Sequence, residues 1–76
     1  MRGEEIRELL RRQPFEAFEI HLTDGRSLEV RHPDQMFLYR NSAYVGLLES
    51  TRGTYQRIEI VDLLHIVSVK PLAPAS

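Results

Sequence analysis

The stretch Ile20-His21-Leu22-Thr23-Asp24-Gly25-Arg26-Ser27-Leu28-Glu29-Val30 constrains the fold more than any other, because Asp-Gly between two alternating apolar runs is the strongest short-range β-hairpin signal. The loop length follows from parity. Phe18, Ile20 and Leu22 share one face of the first strand, Leu28 and Val30 share one face of the second, and a half-buried hairpin puts both sets on the same side. A two-residue loop at Asp24-Gly25 pairs Ile20 with Glu29 and sends the two sets to opposite faces. A three-residue loop of Thr23, Asp24 and Gly25 pairs Ile20 with Leu28 and Phe18 with Val30. Gly25 then takes the left-handed position of a type I turn with a G1 bulge, where it carries no Cβ penalty. This pattern fixes a fold element and no activity.

Seventy-six residues make one small domain, whose core leaves a net stability of roughly 3 to 5 kcal/mol without staples. No staple is visible: the chain has no cysteine, so disulfides and thiolate metal sites are excluded and the cytoplasm is the expected compartment. The apolar runs are far shorter than a membrane span, and the acidic start Met1-Arg2-Gly3-Glu4-Glu5 does not resemble a signal peptide. A soluble, unprocessed chain is expected. A formal charge of −1 gives no bulk attraction to nucleic acid or to an anionic membrane.

Residues 3–13 read as an amphipathic helix, with Ile6, Leu9 and Leu10 on one stripe, Glu4 and Glu5 in the first turn, and Arg11 and Arg12 in the last. Glu4 to Arg7 and Glu8 to Arg11 or Arg12 add pairs at helical spacing, and Pro14 ends the helix by displacing Gln13. So short a helix needs a packing partner, which the following sheet supplies. After the first hairpin, His32-Pro33-Asp34 stops the strand and turns the chain. Met36 to Tyr39 and Tyr44 to Leu48 form a second hairpin around Arg40-Asn41-Ser42. A loop at Ser50-Thr51-Arg52-Gly53-Thr54 leads to a strand from Gln56 to Val61, in which Ile58 and Ile60 alternate with Arg57 and Glu59. Asp62-Leu63-Leu64 breaks that alternation as a single tight helical turn capped by Asp62, before a last strand near Ile66 to Val69. Residues 71–76, with Pro71 and Pro74, form a flexible tail after a domain of residues 1–70.

One helix and five to six short strands with frequent turns point to an α+β domain: an N-terminal helix on a strongly bent antiparallel sheet or an SH3-like or Sm-like small barrel. The expected core is Ile6, Leu9, Leu10, Phe18, Ile20, Leu22, Leu28, Val30, Ile58, Ile60 and Ile66, with Leu38, Val45, Leu47 and Leu64 behind them. Over most of its length the chain resembles a family of small uncharacterised bacterial proteins. The resemblance rests on Leu10-Arg11-Arg12-Gln13-Pro14-Phe15-Glu16, on Ile20-His21-Leu22-Thr23-Asp24-Gly25-Arg26, on Glu29-Val30-Arg31-His32-Pro33 and on Val61-Asp62-Leu63-Leu64-His65-Ile66. It implies a compact bacterial domain and carries no activity with it.

Catalysis finds no support. There is no cysteine nucleophile, no serine elbow and no phosphate-cradling glycine loop. On the outward face of the first hairpin Glu19, His21 and Glu29 offer a divalent ion two carboxylates and an imidazole. A solvated face softened by Arg31 is the preferred reading, so neither metal nor cofactor is expected. His32 ends a strand. His65 is expected to be partly buried and hydrogen-bonded, with no hydroxyl tied to either histidine. Tyr39 with Arg40, Tyr44, and Tyr55 with Arg57 make a candidate platform for stacking single-stranded nucleic acid, against which Glu59 matches Arg57 and tyrosine simply suits pleated strands. The preferred function is a non-catalytic binding or assembly module that self-associates or docks a protein partner through strand edges or the helix; RNA or single-stranded DNA binding is the alternative. The expected partner is a protein, most readily another copy of the chain in a closed homo-oligomer.

Overall fold

The first hairpin closes with the loop length that parity demands. Phe18 pairs with Val30, Glu19 with Glu29, Ile20 with Leu28 and His21 with Ser27. The Leu22 amide donates to the Arg26 carbonyl at 2.9 Å and the Gly25 amide to the Leu22 carbonyl at 3.0 Å, with Gly25 at φ +91°. In this computed structural model, which describes residues 1–49 and 53–72 and the side chains of all of them but 48 and 49, the chain is an α+β fold. One helix, α1 (Gly3–Arg11), precedes strands β1 (Phe18–Leu22), β2 (Ser27–Val30), β3 (Met36–Tyr39), β4 (Ser42–Glu49), β5 (Tyr55–Asp62) and β6 (Ile66–Pro71).

The strands form two three-stranded antiparallel sheets, ordered β2-β1-β6 and β3-β4-β5. The described strands do not close into one barrel, which corrects that expectation. Each sheet contributes its apolar row to one shared core, centred on Phe18, Ile20, Val30, Val45 and, from α1, Ile6. Leu9 and Leu10 pack against its margin, and the start of the helix lies on Leu38 and Leu63. The helix ends at Arg11, two residues earlier than expected, with Arg12 already extended. Arg12 therefore reaches forward to Glu16 at 3.1 Å, and the pairs expected within the helix do not form among the described residues.

Side chains, more than backbone ladders, join the two sheets. Gln35 closes a 3₁₀ turn, Pro33–Gln35, after the strand stop at His32. Its Nε2 donates to the carbonyl of Glu29 on β2 at 2.7 Å and to that of Gly46 on β4 at 2.9 Å, and its Oε1 accepts from the Arg31 amide at 2.7 Å. At the other end Arg26 reaches Glu59 on β5 at 2.7 Å. A second 3₁₀ turn, Leu63–His65, carries the expected cap: the Leu64 amide donates to Asp62 Oδ1 at 2.9 Å.

The second hairpin turns through two residues, Arg40 and Asn41, so that Ser42 pairs with Tyr39 instead of lying in the loop. Arg40 accordingly sits at φ +55°, a region few side chains adopt. β6 extends through Pro71, and the Leu72 amide donates to Ala17 at 3.0 Å, so the first residues of the expected tail belong to the sheet. Residues 73–76, and Ser50, Thr51 and Arg52 of the expected loop, lie outside the described residues. No helix among the described residues is long and apolar enough to cross a membrane.

β5 departs most from the sequence reading. Ile58 and Ile60, expected in the core, are 64% and 62% exposed, whereas Val61 is buried. The register with β4 causes this, because Ala43 and Val45 face the core and draw their partners Val61 and Glu59 to the same side. Glu59 tolerates that row because it lies at the sheet's border, where Arg26 neutralises it. Leu64, also placed in the core, is 82% exposed because it tops the 3₁₀ turn while Leu63 points inward. Met36, Ala43, Val61 and Leu63 complete the core instead.

Candidate functional site

The same register gathers a row of large apolar side chains on the outer face of the β3-β4-β5 sheet. Phe37, Tyr44 and Ile60 stand side by side across the three strands, with Ile58 next to Gly46 one row along. The rings of Phe37 and Tyr44 are stacked, 4.8 Å between centroids and 3° from parallel. Phe37 and Tyr39 are 55% and 57% exposed. Scattered exposed apolar residues are ordinary on a protein surface; here they are contiguous on one sheet face.

Glycine at position 46 shapes the patch. The Tyr55 ring lies where a side chain there would stand, and an open hollow of about 410 Å³ forms between Phe37, Tyr44, Gly46, Tyr55 and Ile58. Asp34 borders the hollow. At the far end of β3 the Arg40 guanidinium lies 5.6 Å from the centre of the Tyr39 ring, a cation–π contact that holds it at the rim.

Of the proposed nucleic-acid residues, Tyr39, Arg40, Tyr44 and Tyr55 gather around this face. Arg57 does not: the register sets it opposite Leu47, in the row with Glu59 and Val61. Nor does Glu59 match Arg57, since its carboxylate is taken by Arg26. Phe37, Ile58 and Ile60 are the members of the patch that the sequence reading did not assign. Part of their signal was present: β3 is apolar in both rows, as strands covered on two faces are, whereas in β5 the more apolar row, Ile58 and Ile60, pointed to the core.

The outer face of the other sheet is polar and internally matched. Glu19 stands opposite Glu29 as the register required; Arg31 pairs with Glu29, and Lys70 of β6 lies across Glu19 on the other side. His21 Nε2 lies 2.7 Å from Glu19 Oε1. Among the described residues no three His, Cys, Asp or Glu side chains converge in a metal-binding arrangement.

His65 is exposed rather than partly buried, and it does meet a hydroxyl. Its Nδ1 lies 3.1 Å from Thr23 Oγ1, and its carbonyl accepts from the Thr23 amide at 2.9 Å. The double contact clasps the hairpin loop to the 3₁₀ turn before β6. Beside it, the Arg26 amide and guanidinium both donate to Asp24, which holds that carboxyl below its ordinary range; Glu59 and Asp24 together raise Arg26 above its own.

No family model, no curated protein and no solved structure matches this chain.

Proposed function

We propose that the protein is a non-catalytic interaction module whose working surface is the outer face of the β3-β4-β5 sheet. One observation carries this reading: Phe37, Tyr39, Ile58 and Ile60 are each more than half exposed on a single sheet face, around a hollow floored by Gly46. Covering them with a partner gains roughly 25 cal/mol per Å² of apolar surface removed from water, and nothing within the fold repays their exposure. This reading puts docking on a sheet face where the sequence suggested strand edges or the helix; at the β2 edge Gln35 already takes the Glu29 carbonyl and the Arg31 amide.

A protein partner suits the surface better than nucleic acid does. Single-stranded nucleic acid needs cations tracking its phosphates beside the stacking rings. Among the described residues Arg40 is the cation at the rim, Arg57 is on the other side and Asp34 borders the hollow. The order of helix, meander, tight turn and closing strand resembles SH3-like and Sm-like domains in topology, a likeness that carries no function with it.

The test is absolute mass in solution by light scattering, with and without mixed RNA oligonucleotides, for the wild type and a Phe37→Ser/Ile60→Ser variant. Protein association, with itself or with an added partner, that is insensitive to RNA and lost in the variant supports the reading. A mass that shifts only with RNA, falls steeply with salt and fails on Arg40→Ala or Arg57→Ala would replace it with the nucleic-acid reading.

A further inference from the structure

We infer that the occupant of this face is a second copy of the same chain, docked sheet to sheet about a two-fold axis that sets Arg40 of each copy against Asp34 of the other. The inference rests on the interaction-surface reading above and goes one step further, to the identity and orientation of the partner.

The exposed area suits a pair of copies. With aromatic side chains burying about 150–250 Å² each, the exposed parts of Phe37, Tyr39, Ile58 and Ile60 come to roughly 400 Å² per copy. Counted on both copies, with Tyr44 and Tyr55 added at the margin, the buried total passes the ~1,000 Å² that distinguishes specific interfaces from casual contacts. Shape agrees. A sheet face is flat, and the surface that best complements it is another sheet face about 10 Å away, as in β-sandwiches.

The charges along β3 set the orientation. Asp34 lies three residues before Phe37 and Arg40 three residues after it, so the patch has an acidic end and a basic end along β3. A two-fold axis lying in the interface, across the strands at the level of Phe37, reverses the strand direction in the second copy. The Asp34 end of each copy then meets the Arg40 end of the other, twice over, with the Phe37 and Tyr44 rings at the centre. Stacking β3 on β3 with the strands in the same direction brings like charges together. With β3 over β3 the patch is therefore self-complementary when the strands run in opposite directions, as an isologous interface requires. Arg40 is already positioned, by its left-handed backbone at φ +55° and by its contact with Tyr39.

The experiment is sedimentation equilibrium of the full chain over a wide concentration range. A reversible dimer is expected. Phe37→Ser and Ile60→Ser should each raise its dissociation constant at least about tenfold, with the folded circular-dichroism spectrum retained because both side chains are exposed. Arg40→Asp and Asp34→Arg should each weaken the dimer, and the double exchange Arg40→Asp/Asp34→Arg should restore it. A monomer at all concentrations overturns the inference. If that monomer captures a protein partner and loses it on Phe37→Ser, the interaction-surface reading survives without self-docking. A dimer indifferent to Phe37→Ser and Ile60→Ser overturns both. A dimer weakened by the apolar changes but not restored by the charge exchange overturns the orientation.

Discussion

The Tyr55 ring occupies the space of a missing side chain at Gly46: a Cβ built there comes 2.7 Å from Tyr55 Cγ and 2.9 Å from Cδ2. The contact is with the root of the ring, which cannot swing clear without moving β5. Gly46 is thus required by an approaching aromatic and not by its own backbone angles, a use of glycine in strands that brings two elements closer than any side chain allows.

Gly46→Ala should accordingly destabilise the protein by about 1–3 kcal/mol through overpacking. In a Tyr55→Ala background most of that cost should vanish. Urea unfolding of the four proteins in this double-mutant cycle measures the coupling, and equal costs in both backgrounds would refute the contact.

Gln35→Ala removes two donated bonds and one accepted bond that tie β2 to β4, and should cost about 1–3 kcal/mol. Gln35→Glu keeps the shape but sets a carboxylate oxygen against the carbonyls of Glu29 and Gly46. It should be worse than alanine at neutral pH and recover in acid as the carboxyl protonates. Denaturation midpoints at the two pH values decide this.

Gly25→Val places a β-branched side chain at φ +91°, where there is room for it but no comfortable backbone. A loss of about 2 kcal/mol or more is expected, against about 1–2 for Gly25→Ala. Thermal unfolding that ranks alanine below valine would sink the bulged-turn account.

Asp24 contributes to stability with a definite sign. Its carboxyl is lowered chiefly by the Arg26 amide and next by the Arg26 side chain, so it binds its proton more readily in the unfolded chain than in the folded one. Its contribution is complete above the ordinary carboxylate range and fades as pH falls through the lowered folded value. Asp24→Asn should flatten the acid limb of the stability profile; a limb unchanged in the variant would show that Asp24 does not titrate with folding.

The inverted face of β5 gives a direct contrast. Val61→Ala should cost about 2 kcal/mol as a core deletion, while Ile60→Thr one position earlier should stay within about 0.5 kcal/mol for the isolated chain. The reverse ranking by chemical denaturation would restore Ile60 to the core.

Where one face of an element is apolar and the other polar, the sequence was sufficient. Phe18-Glu19-Ile20-His21-Leu22 has a single burial solution, and with Leu28 and Val30 it determines the strand faces, the register, the three-residue loop and the need for Gly25. Asp62 ahead of Leu63-Leu64 likewise specified a capped turn. The middle of the chain has no such bias. Met36-Phe37-Leu38-Tyr39 is apolar on both sides, and in Arg57-Ile58-Glu59-Ile60-Val61 the richer row is the one that ends outside.

By itself, then, the chain determined its local elements: the helix, the bulged hairpin, the strand stops, and the five to six strands of a small α+β domain. Only the tertiary structure decided which face of β5 is buried, because that depends on Ala43 and Val45 across the register and on Arg26 arriving from the other sheet to neutralise Glu59. The same pairing left Phe37, Tyr44, Ile58 and Ile60 together in solvent. A strand's alternation fixes that its faces differ, while the choice between them belongs to its neighbours.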